Sequence, residues 1–265
     1  MSENLFNKTI MVIDVGNTNT VFALINKGGI WHKWRMSTIV NRTADEYETH
    51  LKVFLENINN LELFDVVISS VVPAVNYELK SYIENIFNIT PKIIGDNIFP
   101  NLNVSLERPD EVGADRLVNS LAANCIFGGP IIVIDFGTAT TFDVVDKKGS
   151  YIGGIISPGV NLSMDALDKA TARLPRIAIT KPDKVIGDNT ITAMQSGIFW
   201  GYIGLLEGMI SRIRIEYNND MKVVATGGLA KLFKPYTNII DFIDEDLTLK
   251  GIALTWDFEL DIFSK

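Results

Sequence analysis

Two apolar runs that each end in a single carboxylate set the pattern of the chain. Met11-Val12-Ile13 leads to Asp14, and Ile132-Val133-Ile134 leads to Asp135. A run apolar at every position predicts a strand buried on both faces. An aspartate at its exit is unexplained by burial, because a carboxylate needs water, a cation or hydrogen-bond donors. Each run opens a longer unit, Ile10 to Arg35 and Ile131 to Pro158, patterned as strand, glycine turn, strand, turn, strand. At a constant offset of 121 residues, Asp14 meets Asp135, Gly16 meets Gly137, Thr18 meets Ala139, Thr20 meets Thr141 and Lys27-Gly28 meets Lys148-Gly149. Solenoid repeats are roughly 20–50 residues long, so this spacing predicts a duplicated domain.

The segments after each hairpin unit predict α/β domains. Thr43 to Glu46 has the spacing of a capping box. It opens a helix over Ala44 to Leu61, with Tyr47, Leu51, Phe54, Leu55 and Ile58 on one stripe. Phe64 to Val72 reads as a strand ended by Pro73, Val75 to Phe87 as a helix, and Lys92 to Ile94 as a short strand. A polar stretch, Phe99 to Asp110, leads to a helix over Ala114 to Phe127, with Leu117, Val118, Leu121, Ala122 and Cys125 turned inward. In the second half, helices are expected over Leu162 to Arg173 and Ile191 to about Ile215, and a strand over Met221 to Ala225. Asp244 to Thr255 reads as a loop and a capping helix. The helix from Ile191 is apolar enough to raise a membrane span, but Gln195, Ser196, Glu207 and its glycines argue against one. The spacing of Gly197, Gly201, Gly204 and Gly208 would let another backbone approach closely, in the core or at a subunit interface. Domain limits are expected at 1–112 and 113–265.

Composition narrows the function classes. The 265 residues are 47% apolar with a net charge of −8, so the chain is globular, and the charge argues against nonspecific nucleic-acid binding, which needs a basic face. One cysteine, Cys125, excludes an internal disulfide and fits a reducing cytoplasm. His32 and His50 lack companions at metal-ligand spacing. The first ten residues lack a secretion signal.

The chemistry lies at the turns. Gly16-Asn17-Thr18-Asn19-Thr20 and Gly137-Thr138-Ala139-Thr140-Thr141 put backbone N–H groups and hydroxyls within a tight radius. Such turns cradle phosphate oxygens, with the aspartate placed to hold a cation beside them; singly, each is also ordinary turn chemistry. Facing each other, two would grip one polyphosphate. Asp115 and Arg116 open the helix at Ala114. Aspartate suits a helix start; arginine does not, so Arg116 is either a surface residue or a ligand group. Thr226-Gly227-Gly228 follows a strand, where α/β sheets bind nucleotides.

The pair Asp14-Val-Gly-Asn-Thr18 and Asp135-Phe-Gly-Thr-Ala-Thr140 resembles the phosphate motifs of the actin-like ATPases. With Gly113-Ala-Asp-Arg116, Gly153-Gly-Ile-Ile-Ser-Pro-Gly159, Asn189-Thr190 and Thr226-Gly-Gly228, the order resembles the type III pantothenate kinases over nearly the whole chain. The resemblance implies two duplicated ribonuclease H-like domains with a nucleotide cleft between them. It implies transfer of the ATP γ-phosphate to pantothenate, the first step of coenzyme A synthesis, in a cytoplasmic homodimer that binds neither nucleic acid nor membrane. Asp115 would be the base, and Gly113, Ala114, Asp115, Arg116 and Thr190 would bind pantothenate, Arg116 through its carboxylate. Asp14, Val15, Gly16, Asn17, Thr18, Asn19, Thr20, Val21 and Thr138 would bind ATP. Asp14 would help hold Mg²⁺, and Asp135 a monovalent cation, K⁺ or NH₄⁺. Thr190 would close the site of the partner subunit. Two positions depart from the family pattern: Leu106 stands where a pocket tyrosine is common, and Ala23 where glycine is common. Leu106 keeps open a second reading, a catalytically weak relative acting as a transcriptional accessory protein. A sugar or acetate kinase and a nucleotide-driven chaperone domain are the other rivals.

Overall fold

The computed structural model describes residues 9–26, 28–56, 58, 61–170 and 178–256. The chain divides into two compact units, one of Met1–Asn103, Glu107–Ile126 and Asp246–Lys265, the other of Val104–Leu106 and Phe127–Glu245.

The first unit starts with an antiparallel meander of β1 (Thr9–Val15), β2 (Asn19–Asn26) and β3 (Gly29–Ser37). After α1 (Ala44–Leu55), β4 (Leu63–Ser70) returns parallel to β1. After α2 (Pro73–Phe87), β5 (Lys92–Ile93) adds in parallel, giving the order β3-β2-β1-β4-β5. Side chains alternate across a strand, and β1 is buried both ways. Met11, Ile13 and Val15 pack with Tyr47 and Leu51 of α1 and with Leu79 and Ile83 of α2. Ile10 and Val12 pack with Val118 of α3 (Ala114–Phe127) and with Leu249, Ile252 and Ala253 of α7 (Leu247–Thr255). That accounts for the unbroken apolar run, and it puts Asp14 on the face that carries α3.

Local chemistry fixes the element ends. Thr43 and Glu46 form the reciprocal capping box. Helix α1 stops at Leu55, short of the expected Leu61; residues 57, 59 and 60 lie outside the described set. Pro73 does not follow a strand running to Val72. It is the first residue of α2, where its fixed φ and missing N–H suit a helix start.

The grouping of α3 and α7 differs from the expected division at 112/113. Both belong to the first unit, because they cover the second face of its sheet. A Cβ on Gly251 of α7 would stand 2.0 Å from the Val118 carbonyl oxygen, so only glycine allows the two helices this close. Past the end of α7, Trp256 Nε1 donates to Asp65 of β4 at 2.7 Å, and Lys92 pairs with the same carboxylate at 2.5 Å.

The second unit repeats the plan. β6 (Ile131–Phe136), β7 (Ala139–Val145) and β8 (Tyr151–Pro158) form the meander; β9 (Lys222–Gly227) runs parallel to β6, and β10 (Phe242–Ile243) parallel to β9. The order β8-β7-β6-β9-β10 matches the first sheet strand for strand. One face packs on α4 (Val160–Ala170), α5 (Thr190–Tyr217) and α6 (Ala230–Phe233) through Phe142, Val160, Phe199, Leu206 and Phe233. Residues 171–173 of the expected Leu162–Arg173 helix lie outside the described set. Among the described residues no helix is long and apolar enough to cross a membrane.

The register corrects one detail of the repeat. Val15 pairs with Thr20, whereas Phe136 pairs with Thr140. The first turn is therefore one residue longer, and the structural counterparts of Thr18 and Thr20 are Thr138 and Thr140, rather than Ala139 and Thr141. Thr20 and Thr140 are both fully buried.

Candidate active site

In the first unit the motif residues gather at the C-terminal ends of two parallel strands, where α/β sheets bind ligands. Asp14 is partly buried at the end of β1. The turn closes with Gly16 N–H donating to the Asn19 carbonyl at 3.0 Å, leaving Asn17, Thr18 and Asn19 exposed. Thr38 braces it from behind. Its N–H donates to the Thr18 carbonyl at 3.0 Å, its hydroxyl donates to the Gly16 carbonyl at 2.7 Å, and it receives the Thr20 hydroxyl at 2.9 Å.

Helix α3 begins at the same edge. Val71, just past β4, donates its N–H to the Val15 carbonyl at 3.0 Å, and its Cγ1 lies 3.8 Å from where a Gly113 Cβ would stand. Asp115 lies in the first turn of α3, with Oδ1 accepting the Arg116 backbone N–H at 2.8 Å. A Cβ on Gly113 would stand 2.6 Å from that oxygen. Glycine at 113 is thus what gives the Asp115 carboxylate its place. Burial pushes the Asp115 carboxyl pKa above the ordinary aspartate value, against the lowering effects of the Arg116 N–H and guanidinium charge. A carboxylate poised this way suits a proton acceptor.

In the second unit, Asp135 is the penultimate residue of β6, and Gly137-Thr138 make the turn to β7. Gly227, at the end of β9, pairs with Phe136; a Cβ there would stand 2.8 Å from Asp135 Oδ1 and 2.6 Å from the Phe136 carbonyl oxygen. Gly159 donates its N–H to the Thr138 carbonyl at 3.1 Å, and a Cβ on it would stand 2.2 Å from that oxygen. The Pro158-Gly159 bend is thus a tight strand-to-helix joint pressed on the Gly137-Thr138 turn. Leu106 is partly buried and reaches Gly153, with Cδ2 at 3.9 Å from a Cβ there; Ser105 N–H donates to the Tyr151 carbonyl at 2.8 Å.

Thr190 lies away from the Gly137-Thr138 turn of its own unit. It is the exposed first residue of α5, behind an Asn189–Thr192 capping box. Tyr202, which reaches Thr140, lies twelve residues further along α5, about 18 Å at helical rise.

The donor set fits the implied ions. Mg²⁺ is commonly held by one or two carboxylates together with substrate phosphates, and Asp14 supplies one beside a turn of exposed N–H and hydroxyl groups. Asp135 offers a carboxylate oxygen in the space that the missing Gly227 Cβ leaves open.

A family model described as type III pantothenate kinase matches residues 10–212. The chain belongs to the type III pantothenate kinase family. A type III pantothenate kinase from Paramagnetospirillum magneticum is 52% identical over 92% of this chain and 95% of its own. Among solved structures, a putative 2-dehydro-3-deoxygalactonokinase from Sinorhizobium meliloti aligns with TM-score 0.59 at 11% identity, covering 93% of this chain and 95% of that one. A putative Baf family transcriptional activator from Campylobacter jejuni aligns with TM-score 0.57 at 18% identity, covering 93% and 97%. At such identities both carry the fold alone: two duplicated ribonuclease H-like domains of the actin-like ATPase class. Membership in the kinase family, with relatives of that name at about half identity, does not favour the accessory-protein reading.

The sequence reading did not single out Thr38 or Tyr202, and it took Gly227 as part of a nucleotide-binding turn without its approach to Asp135. The offset of 121 residues sets Thr38 against Gly159, a signal visible in the sequence once that repeat is extended past the third strand. Tyr202, inside an apolar helix, carries no such signal.

Proposed function

We propose that this protein transfers the γ-phosphate of ATP to the primary hydroxyl of pantothenate, giving 4′-phosphopantothenate for coenzyme A synthesis. The observation that carries the reading is Asp115. Its carboxylate has a raised pKa, sits at the sheet edge that bears the first phosphate turn, and keeps its place because residue 113 has no side chain. Phosphoryl transfer is mainly positioning and charge stabilisation, with a base for the acceptor proton. Asp115 takes the hydroxyl proton. Arg116 pairs its guanidinium with the pantothenate carboxylate, a fit for its planar fork. Gly113 and Ala114 shape that contact. Asp14 to Val21 and Thr138 bind ATP phosphates, Asp14 holds Mg²⁺ alongside them, and Asp135 holds K⁺ or NH₄⁺. These ions neutralise phosphate charge when bound. The single cysteine and the reaction both suit the cytoplasm.

The test is ATP-dependent formation of phosphopantothenate with Mg²⁺ and either K⁺, NH₄⁺ or Na⁺. Product with K⁺ or NH₄⁺ and little with Na⁺ is expected. No product under any salt sinks the acceptor assignment.

We also propose a homodimer in which Thr190 completes the partner's pantothenate site. Gly197, Gly201 and Gly204 form an exposed stripe on α5, and a Cβ on any of them would meet nothing within 4 Å. The close backbone packing expected of their spacing is therefore not met among the described residues. Gly201→Leu should leave each subunit folded, since leaving glycine favours a helix by about 1 kcal/mol. It should convert the dimer to a monomer in sedimentation and raise KM for pantothenate. A Gly201→Leu dimer with unchanged KM removes α5 from the interface.

A further inference from the structure

The two phosphate turns are braced in the same way, but by different residues. Behind the first turn, the residue after β3 is Thr38. Its N–H holds the Thr18 carbonyl, and its hydroxyl is the partner of buried Thr20. Behind the second, the residue after β8 is Gly159. Its N–H holds the Thr138 carbonyl in the same way. A hydroxyl cannot follow from that position, because even a Cβ on Gly159 would stand 2.2 Å from the Thr138 carbonyl oxygen and 2.7 Å from that of Gly137. Thr140, the buried counterpart of Thr20, must find its partner elsewhere, since an unpaired buried hydroxyl is destabilising.

Tyr202 supplies it. Its hydroxyl lies 3.0 Å from Thr140 Oγ1 and donates to the Pro158 carbonyl oxygen. A phenol has one hydrogen, so with that hydrogen on Pro158 the Thr140 hydroxyl is the donor to Tyr202. The order matches the first unit, where Thr20 donates to Thr38 and Thr38 to a backbone carbonyl. One phenolic oxygen thus joins the start of β7, the β8–α4 joint and α5. The ring is fixed by stacking on Phe233 at 5.7 Å, and Phe233 stacks at 5.4 Å on Phe136, the residue before the turn.

We propose that Tyr202 is a positioning residue for the second phosphate turn, holding Gly137-Thr138 in the form that receives ATP by standing in for the hydroxyl Gly159 cannot carry. The proposal rests on the reading of Thr138 as an ATP contact. It acts through Thr140 and Pro158, and places no atom of Tyr202 on substrate.

Tyr202→Phe keeps the stacked ring and removes both hydrogen bonds. Misplacement of a binding group by a fraction of an ångström up to about 1 Å lowers rate by up to about 10²-fold, so kcat/KM for ATP should fall by roughly 10- to 100-fold. KM for pantothenate should stay within about twofold, since Thr140 and Pro158, through which Tyr202 acts, are not assigned to pantothenate. Thr140→Val should reproduce the loss, Thr140→Ser should retain wild-type ATP kinetics, and Tyr202→Phe/Thr140→Val should be no worse than the poorer single variant, as groups acting through one bond are non-additive. Calorimetric ATP affinity of the same variants decides the bracing role whichever acceptor the enzyme uses. Unchanged ATP affinity and ATP kinetics in Tyr202→Phe, or losses that multiply in the double variant, overturn it. If Tyr202→Phe does not fold, the contrast between Thr140→Val and Thr140→Ser decides the matter: weaker ATP binding in the valine variant alone supports the brace, and equal ATP affinity in the two overturns it.

Discussion

Asp115→Asn should lower kcat by about 10²–10⁴-fold, the range for loss of a general base, while the melting temperature stays level or rises. The kinetic half follows from chemistry, since an amide cannot accept the acceptor hydroxyl's proton. The stability half follows from linkage. Burial raises the pKa of Asp115 in the folded state above its unfolded value. The folded protein therefore holds that proton more readily than the unfolded chain does. Its contribution is fully present below the unfolded pKa and is lost as pH rises through the folded one. Above the folded pKa the ionised carboxylate is a liability that asparagine removes. The same shift sets the pH profile. In the proposed role activity needs the ionised form, so kcat/KM should fall as pH drops through the raised pKa, with the acid limb above the range of an ordinary aspartate. The asparagine variant should lose that limb. Retention of activity within about tenfold, or an unchanged acid limb in the residual rate, would remove Asp115 from the base role.

Much of the fold was legible because burial writes itself into sequence period. The runs at Met11–Ile13 and Ile132–Ile134 are apolar at every position because the strands are covered on both faces. The grouping of α3 and α7 was not legible. It depends on which sheet face lacks a cover, and Gly251 reads as an ordinary helix glycine until Val118 is set against it. At the site, Asp14, Asp115 and Asp135 stand out because a carboxylate beside glycine in an apolar context demands a reason. The one-residue slip between Gly16 and Thr18 did not, since Thr20 meets a threonine on either alignment, Thr141 or Thr140. Tyr202 was hidden because its apolar neighbours on α5 account for it as core, and its hydroxyl acquires meaning only beside Thr140 and Pro158.

Gly227→Ala should lower kcat/KM for ATP by about 100-fold, the scale of a misplaced site group, and weaken activation by K⁺ or NH₄⁺. Two effects coincide at this residue. Its φ is +86°, where a side chain is disfavoured by roughly 1–2 kcal/mol. Its Cβ would stand 2.6 Å from the Phe136 carbonyl oxygen and 2.8 Å from Asp135 Oδ1. The first contact is with backbone in the paired strand, which cannot swing aside; the second is with the carboxylate assigned to the monovalent ion. The strain alone would appear as a lower melting temperature, about 2–4 °C per kcal/mol for a chain near this size. The displaced carboxylate would appear separately, as a higher K⁺ concentration for half-maximal rate. Pantothenate KM should change little, because the added Cβ would meet Phe136 and Asp135, neither of them assigned to pantothenate. A variant that melts earlier but keeps the wild-type K⁺ response would show that Asp135 tolerates the shift and that the ion is held by other groups. A rise in the K⁺ requirement at temperatures where the variant is fully folded would tie the glycine after β9 to the ion, and explain why a Thr-Gly-Gly turn stands beside the second aspartate rather than beside the first.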